Sequence, residues 1–247
     1  MRTPTEQFVF RNKIDNYKIV KNVLSNKLNT TNVADALGKT GSIPGFKYRG
    51  KTNRIVAGTI KTYTCIAATN YGLHKYIQDE VLEGHILVVD ATVCMQKSIL
   101  GDLVSDYLFN EKKVAGLVVR GSIRDADQIM EKDYPVWSNS TNPVGVINQD
   151  LEKQLVVQPN PIEDGIMVCD ATGLVLIKDK INKKIIHDNL SFMAVQEQIW
   201  DYCISTLGWS TFETICDKNY LKARYQDENL SNLTNRLSRY DFTKLTE

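Results

Sequence analysis

The chain has 247 residues, 43% of them hydrophobic and 24% charged, the composition of an ordinary globular protein, which argues against disorder over most of its length and is enough to bury a full core. Lys and Arg number 30 against 29 Asp and Glu, so a net charge of +1 gives no support to direct nucleic-acid or membrane-surface binding. The 5 cysteines are widely spaced with no C-x-x-C, and the 3 histidines (His74, His85, His187) are unpaired, which argues against a disulfide framework and a His-rich zinc site.

The N-terminus is polar and no apolar run reaches bilayer length, so a soluble cytoplasmic protein is expected. Residues 1–14 read as a loose lead-in. From Tyr17, the apolar residues Ile19, Val20, Val23, Leu24 and Leu28 have helical spacing. Thr30, Thr31 and Asn32 can cap a second short helix, Val33 to Leu37, closed by Gly38 or Gly41. Ile55 to Ala67 has the β-branched alternation of a strand. A short helix is expected over Asn70 to Asp79. Gly84 to Asp90 follows as a buried strand behind a glycine turn. A helix opens at Gly101, a strand at Val114 and another helix at Asp125, and Pro135 to Ser138 is a further strand. Strand, helix, strand, helix, strand implies βαβ units with parallel pairing.

Beyond them, Val144 to Ile147, Gln154 to Gln158, Gly165 to Asp170 and Leu174 to Ile177 are expected as short strands joined by tight turns. Lys178 to about Leu207 has a helical pattern whose register slips, so a break is expected near Asp188 to Ser191. Helical fragments are expected at Thr211 to Cys216 and Leu230 to Leu237. No Pro/Gly-rich linker divides the chain. The expected organisation is a helical lead-in (1–29), an α/β domain (30–207) and a C-terminal helical extension (208–247).

Two stretches carry chemistry. The apolar run Val114 to Val119 leads into Arg120-Gly121-Ser122-Ile123-Arg124-Asp125. An arginine beside an aspartate at the exit of a buried strand is where α/β proteins place reactive groups. Gly101-Asp102-Leu103 opens a helix and offers backbone N–H groups suited to an anion. The two stretches are expected to form one site. Taken alone, Arg124-Asp125 reads equally well as a capped helix N-terminus. Asp90 and Asp170 read as turn formers, and the histidines as surface or packing residues.

In order along the chain, Val33-Ala34-Asp35-Ala36-Leu37-Gly38, then Val81 to Asp90, then Gly101-Asp102-Leu103 with Val114 to Val119 and Gly121 to Asp125, then Pro135-Val136-Trp137, and finally Glu163 to Val175 resemble the ordered motifs of the RraA-like family. That family contains the regulators of ribonuclease activity A and the class II 4-hydroxy-4-methyl-2-oxoglutarate aldolases. The resemblance covers roughly residues 30–205. It implies an α/β fold of the ββα swivelling type, like the phosphohistidine domain, with mixed sheets flanked by helices. It also implies a homotrimer or hexamer with sites between subunits.

The resemblance further implies a class II aldolase or decarboxylase that releases pyruvate from a small 2-oxo acid with Mg²⁺ or Mn²⁺. In that reading Asp125 holds the metal, Arg124 contacts the keto oxygen and carboxylate, and the amides of Gly101, Asp102 and Leu103 bind the pyruvyl carboxylate. Asp102 also serves as general base or its relay. A neighbouring subunit lends a carboxylate, for which Glu197 and Asp35 are the candidates. The other reading within the family is a non-catalytic protein that binds and inhibits an RNA-degrading endonuclease.

Two departures from the family pattern stand out. Asp102 and Arg124 are separated by 21 residues, one more than in the aldolase pattern. The surplus residue is expected in the loop Phe109 to Lys113, where it would not turn Asp102 away. Arg120 stands where the family has a small or acidic residue, and is expected to add positive charge near the site.

Overall fold

The computed structural model describes residues 4–151, 160, 162, 164–222 and 227–243, with side chains from residue 13 onward. In chain order the elements are α1 (Pro4–Ser25), α2 (Thr30–Ala36), β1 (Ser42–Ile43), β2 (Lys47–Tyr48), β3 (Val56–Thr64), α3 (Tyr71–Glu80), β4 (Ile86–Asp90) and α4 (Asp102–Asp106). They continue as β5 (Gly116–Ile123), α5 (Ala126–Glu131), β6 (Val136–Thr141), β7 (Gly165–Cys169), β8 (Leu174–Lys178), α6 (Lys183–Asp201) and α7 (Glu228–Leu237).

The strands form one mixed sheet in the order β1-β8-β7-β3-β4-β5-β6-β2. Strands β3, β4, β5 and β6 are parallel neighbours, as the alternating strand–helix pattern requires. The pairs β3–β7, β7–β8, β1–β8 and β2–β6 are antiparallel. Alternate residues of the strands face opposite ways. Ile86, Val88, Val118 and Trp137 meet Met167, Cys169, Leu174 and Leu176 in one cluster, although β6 and β8 lie far apart in the sheet order. The sheet therefore curls around this inner cluster. Leu87, Val89, Leu117 and Val119 face outward beneath α3 and α5. Ile166, Val168, Val175 and Ile177 face outward beneath α1, α2 and α6. The fold is thus the mixed α/β architecture expected, with helices on both outer faces.

Trp137 is fully buried in the curl, and its indole N–H donates to the Asp170 carbonyl at 2.9 Å. The Asp170 carboxylate accepts from the Thr30 amide and hydroxyl, both at 2.8 Å, and from the Thr172 amide at 2.8 Å. It is a turn former, as expected, and it also ties the start of α2 to the β7–β8 hairpin.

Several local expectations are corrected. The first helix begins at Pro4, so most of the lead-in is helical. The cap of α2 is Asn29, which exchanges hydrogen bonds with Asn32 in a capping box. Strand β5 does not end at Val119. It runs to Ile123 through a register shift at Gly121, whose φ of +150° favours glycine.

Helix α6 has no break at Asp188 to Ser191. Its buried polar residues are satisfied instead. Asn189 donates to the carbonyls of Ala36 and Thr243, both at 2.9 Å, and Ser191 donates to the His187 carbonyl at 2.9 Å. Val144 to Ile147 forms only isolated bridges, through Gly145 and Ile147. The short edge strands β1 and β2 carry no signal in the sequence. Gln154 to Gln158 lies outside the described residues. The C-terminal segment packs Tyr220, Leu230 and Leu237 against Val195, Ile199 and Cys203 at the end of α6.

Candidate active site

The C-terminal end of β5 builds one wall of a cavity of about 230 Å³. Residues 98–100 run beside that end: the Ile99 amide donates to the Ser122 carbonyl at 3.1 Å, and the Arg124 amide to the Leu100 carbonyl at 3.0 Å. On its other side the same segment pairs with residues 144–146, since the Val146 amide donates to the Ser98 carbonyl at 3.0 Å. These bonds deliver Gly101 directly against Arg124 and Asp125.

Gly101 lets the chain pass close to both side chains. A β-carbon at this position would collide with Oδ2 of Asp125 and sit 2.8 Å from Cγ of Arg124. The Asp102 amide donates to Asp125 Oδ2 at 3.4 Å, and Arg124 Nε lies 3.4 Å from the same oxygen. Gly145 closes the other side, where a β-carbon would approach Arg124 Nη1 to 3.2 Å. Gly101, Asp102, Leu103, Arg124 and Asp125 all line this one cavity.

Asp125 is not an ordinary cap. It precedes α5 with φ 55° and ψ 39°, a left-handed conformation, and its side chain makes no capping hydrogen bond. A non-glycine residue in this region carries backbone strain, which persists only where the surroundings impose it. Here that conformation turns the carboxylate across to Gly101 and Asp102.

The stretch expected to take the surplus residue between Asp102 and Arg124, Phe109 to Lys113, is for the most part helical rather than a loop. Helix α4 widens into a π turn at Tyr107–Glu111, in which the Lys112 amide reaches the Tyr107 carbonyl at 3.1 Å. The widening lies at the far end of the helix, so Asp102 stays against Asp125. Asp102 Oδ2 also lies 3.3 Å from Lys132 Nζ, which bonds Asp106 Oδ2 at 2.7 Å. Those contacts raise the Lys132 ammonium above its ordinary value, Asp106 first. The Lys132 and Tyr134 hydrogen bonds hold the Asp106 carboxyl below its own.

Arg120 does not serve the cavity. It stands opposite Asp90 in the β4–β5 register and binds Asp90 Oδ2 at 2.8 Å. Asp90 is 1% exposed and also accepts from the Thr92 amide and hydroxyl, so this arginine neutralises a buried carboxylate. Glu197 and Asp35 come together on α6 and α2, and neither lines the cavity of its own chain. Burial raises the Glu197 carboxyl above its ordinary value, and the charge of Asp35 adds to the effect.

Among the further lining residues that sequence reasoning passed over are Asn70, His74, Gly145 and Asn148. Asn70 and His74 are spaced i, i+4 at the start of α3 and so share a face. That spacing was the available signal, but a lone histidine in a short helix has little weight. The Asn70 side-chain oxygen is buried without a hydrogen-bond partner.

Among the described residues no three His, Cys, Asp or Glu side chains converge to hold a metal. A zinc-type ligand set is therefore not present there. The Asp125 carboxylate, which lines the open cavity, fits a hard cation that keeps most of its water. Among the described residues no helix is long and apolar enough to cross a membrane.

A family model described as RraA-like, Aldolase/RraA, matches residues 30–176. Solved structures share the fold. An uncharacterized protein from Pseudomonas syringae pv. tomato matches with a TM-score of 0.61 at 21% identity, over 78% of this chain and 94% of its own. Streptomyces coelicolor RraAS2, described as an unusual member of the RNase ES inhibitor RraA protein family, matches with a TM-score of 0.58 at 21% identity, over 76% and 96%. The RNA-processing inhibitor RraA from Thermus thermophilis matches with a TM-score of 0.51 at 23% identity, over 62% and 94%.

Proposed function

The chain belongs to the RraA-like family, and from that premise we propose that it is a divalent-metal-dependent carbon–carbon lyase. It cleaves or decarboxylates a 2-oxo acid and releases pyruvate. 4-Hydroxy-4-methyl-2-oxoglutarate or a related acid is the aldol substrate, with oxaloacetate decarboxylation as a side activity. The observation that carries this reading is the left-handed Asp125, which leaves its own helix uncapped and faces the Asp102 amide beside the Arg124 guanidinium.

Mg²⁺ or Mn²⁺ bound at Asp125 would supply a Lewis acid for the negative charge that develops on the keto oxygen. Asp125 would hold it through one carboxylate in the cavity that it lines. Arg124 would grip the substrate carboxylate and keto oxygen, for which a planar fork suits better than an ammonium. The amides of Gly101, Asp102 and Leu103 would receive the pyruvyl carboxylate. The Asp102 carboxylate would take or relay the proton, with Lys132 holding one of its oxygens at the rim. In a homotrimer or hexamer, Glu197 or Asp35 of a neighbouring subunit would complete the site.

The second reading is a non-catalytic ribonuclease inhibitor. It is favoured by the two matched structures that carry that description. Pyruvate release from oxaloacetate, measured with Mg²⁺ and then with chelator, separates the two. Release that stops with chelator and returns with Mg²⁺ supports the lyase. No release from any of several 2-oxo acids supports the inhibitor.

A further inference from the structure

Four cysteines, Cys65, Cys94, Cys169 and Cys203, are buried, and Cys216 is exposed. The topology brings two of the buried ones together. Cys65 follows β3, whose last residue Thr64 is in register with Asp90 at the end of β4. The Cys65 amide donates to the Asp90 carbonyl at 2.8 Å. Beyond Asp90 the chain makes a tight turn, Thr92–Cys94, closed by the Cys94 amide on the Ala91 carbonyl at 2.9 Å. That turn folds Cys94 back over the exit of β3, where its Sγ donates to the Ala67 carbonyl at 3.8 Å. The two side chains share one core cluster, and each thiol bears on the other. Both also bear on the phenol of Tyr63, which burial pushes up to about 12.

We propose that Cys65 and Cys94 form a peroxide-responsive disulfide that fastens the turn after β4 to the end of β3. Cys94 is the thiol that reacts first. It borders a surface depression of about 510 Å³ that it shares with Met95 and Lys97. The neighbouring Cys65 thiol lowers the Cys94 thiol, and Cys94 together with burial raises Cys65. Met95, the next residue, is 82% exposed and has a φ of 54°, so the turn is already strained on its solvent side.

The Cys94 sulfur attacks one peroxide oxygen, breaking the O–O bond and giving a sulfenic acid and water. The Cys65 sulfur then displaces the sulfenic hydroxyl as a second water, and the S–S bond forms. Two electrons pass from the thiols to the peroxide, and both thiol protons leave in the waters. The bond would restrain the segment that runs on to Ser98 and Gly101, the wall of the cavity described above.

The test uses the full chain in its native state. It is treated with hydrogen peroxide, blocked with N-ethylmaleimide, and digested with trypsin without reduction. The expected product joins the peptides 62–75 and 76–97, two hydrogen masses below their summed reduced mass, and a reductant separates them. In Cys65→Ala, dimedone should instead label Cys94 as the trapped sulfenic acid. The proposal is overturned if Cys65 and Cys94 are both recovered as maleimide adducts after unfolding, at a dose that oxidises the exposed Cys216. It is equally overturned if Cys94 links to a different cysteine.

Discussion

The backbone amide of Asp102 points at Oδ2 of Asp125 from 3.4 Å, across a glycine that has no room for a side chain. Twenty-two residues of helix, loop and strand lie between these two groups in the chain, yet they form one wall of one cavity.

Gly101→Ala should displace the Asp125 carboxylate, because the added β-carbon collides with its Oδ2. The change lies at a cavity wall, so the fold should survive. Pyruvate release from oxaloacetate should fall by about 100-fold, the scale expected when a reacting group is misplaced by an ångström. Thermal unfolding monitored by circular dichroism should show an intact transition.

Asp125→Asn and Asp125→Gly separate strain from function. Both residues tolerate the left-handed backbone at φ 55°, so stability should stay within about 1 kcal/mol of the parent protein. Both remove the anionic ligand, and Mg²⁺-dependent turnover should fall by at least about 100-fold. Asp125→Ala should lose the same activity and in addition about 1 kcal/mol of stability, since alanine is strained there. Urea unfolding beside a turnover assay reads both effects.

Arg120→Met should act on stability and not on substrate. It leaves the buried Asp90 carboxylate without its cation, at a cost of about 3 kcal/mol, the lower end of the range for a broken buried pair because Arg120 is partly exposed. The KM for oxaloacetate should not change. A raised KM with unchanged urea stability would return Arg120 to the substrate side.

Glu197 makes the fold sensitive to pH. Its carboxyl is raised in the folded state, first by burial and then by the charge of Asp35, so the folded chain holds this proton more tightly than the unfolded chain. The contribution is fully present below the ordinary glutamate value of 4.5 and is lost as pH rises through the raised folded value. Glu197→Gln should therefore gain stability relative to the parent protein toward neutral pH, and the gain should vanish in acid. Paired melting curves across that interval check the sign.

The architecture was legible where the hydrophobic pattern was strong. The runs at Gly84 to Asp90 and Val114 to Val119 announced β4 and β5, and the ordered motifs announced the family. What escaped notice was tertiary in origin. Strand β5 continues past Gly121 because residues 98–100 pair with its far end, a contact no local pattern shows. Helix α6 crosses Asn189 unbroken because its amide is satisfied by Ala36 and Thr243, both distant in sequence.

The same holds at the site. Gly101, Asp102, Arg124 and Asp125 could be singled out as residues. The left-handed Asp125, the Lys132 contact to Asp102, and the π turn at Tyr107–Glu111 could not. Arg120 looked like a free charge because its partner, Asp90, is a neighbour only across strands.

The central claim is that a 2-oxo acid and a hydrated cation occupy the space between Arg124, Asp125 and the amides at Gly101–Leu103. A crystal structure of the protein grown with Mg²⁺ and oxalate, a planar mimic of the pyruvate enolate, tests it most directly. The account predicts the cation on the Asp125 carboxylate and oxalate between the Arg124 guanidinium and those amides. Oxalate and Mg²⁺ bound elsewhere, with this cavity holding only water, would contradict it.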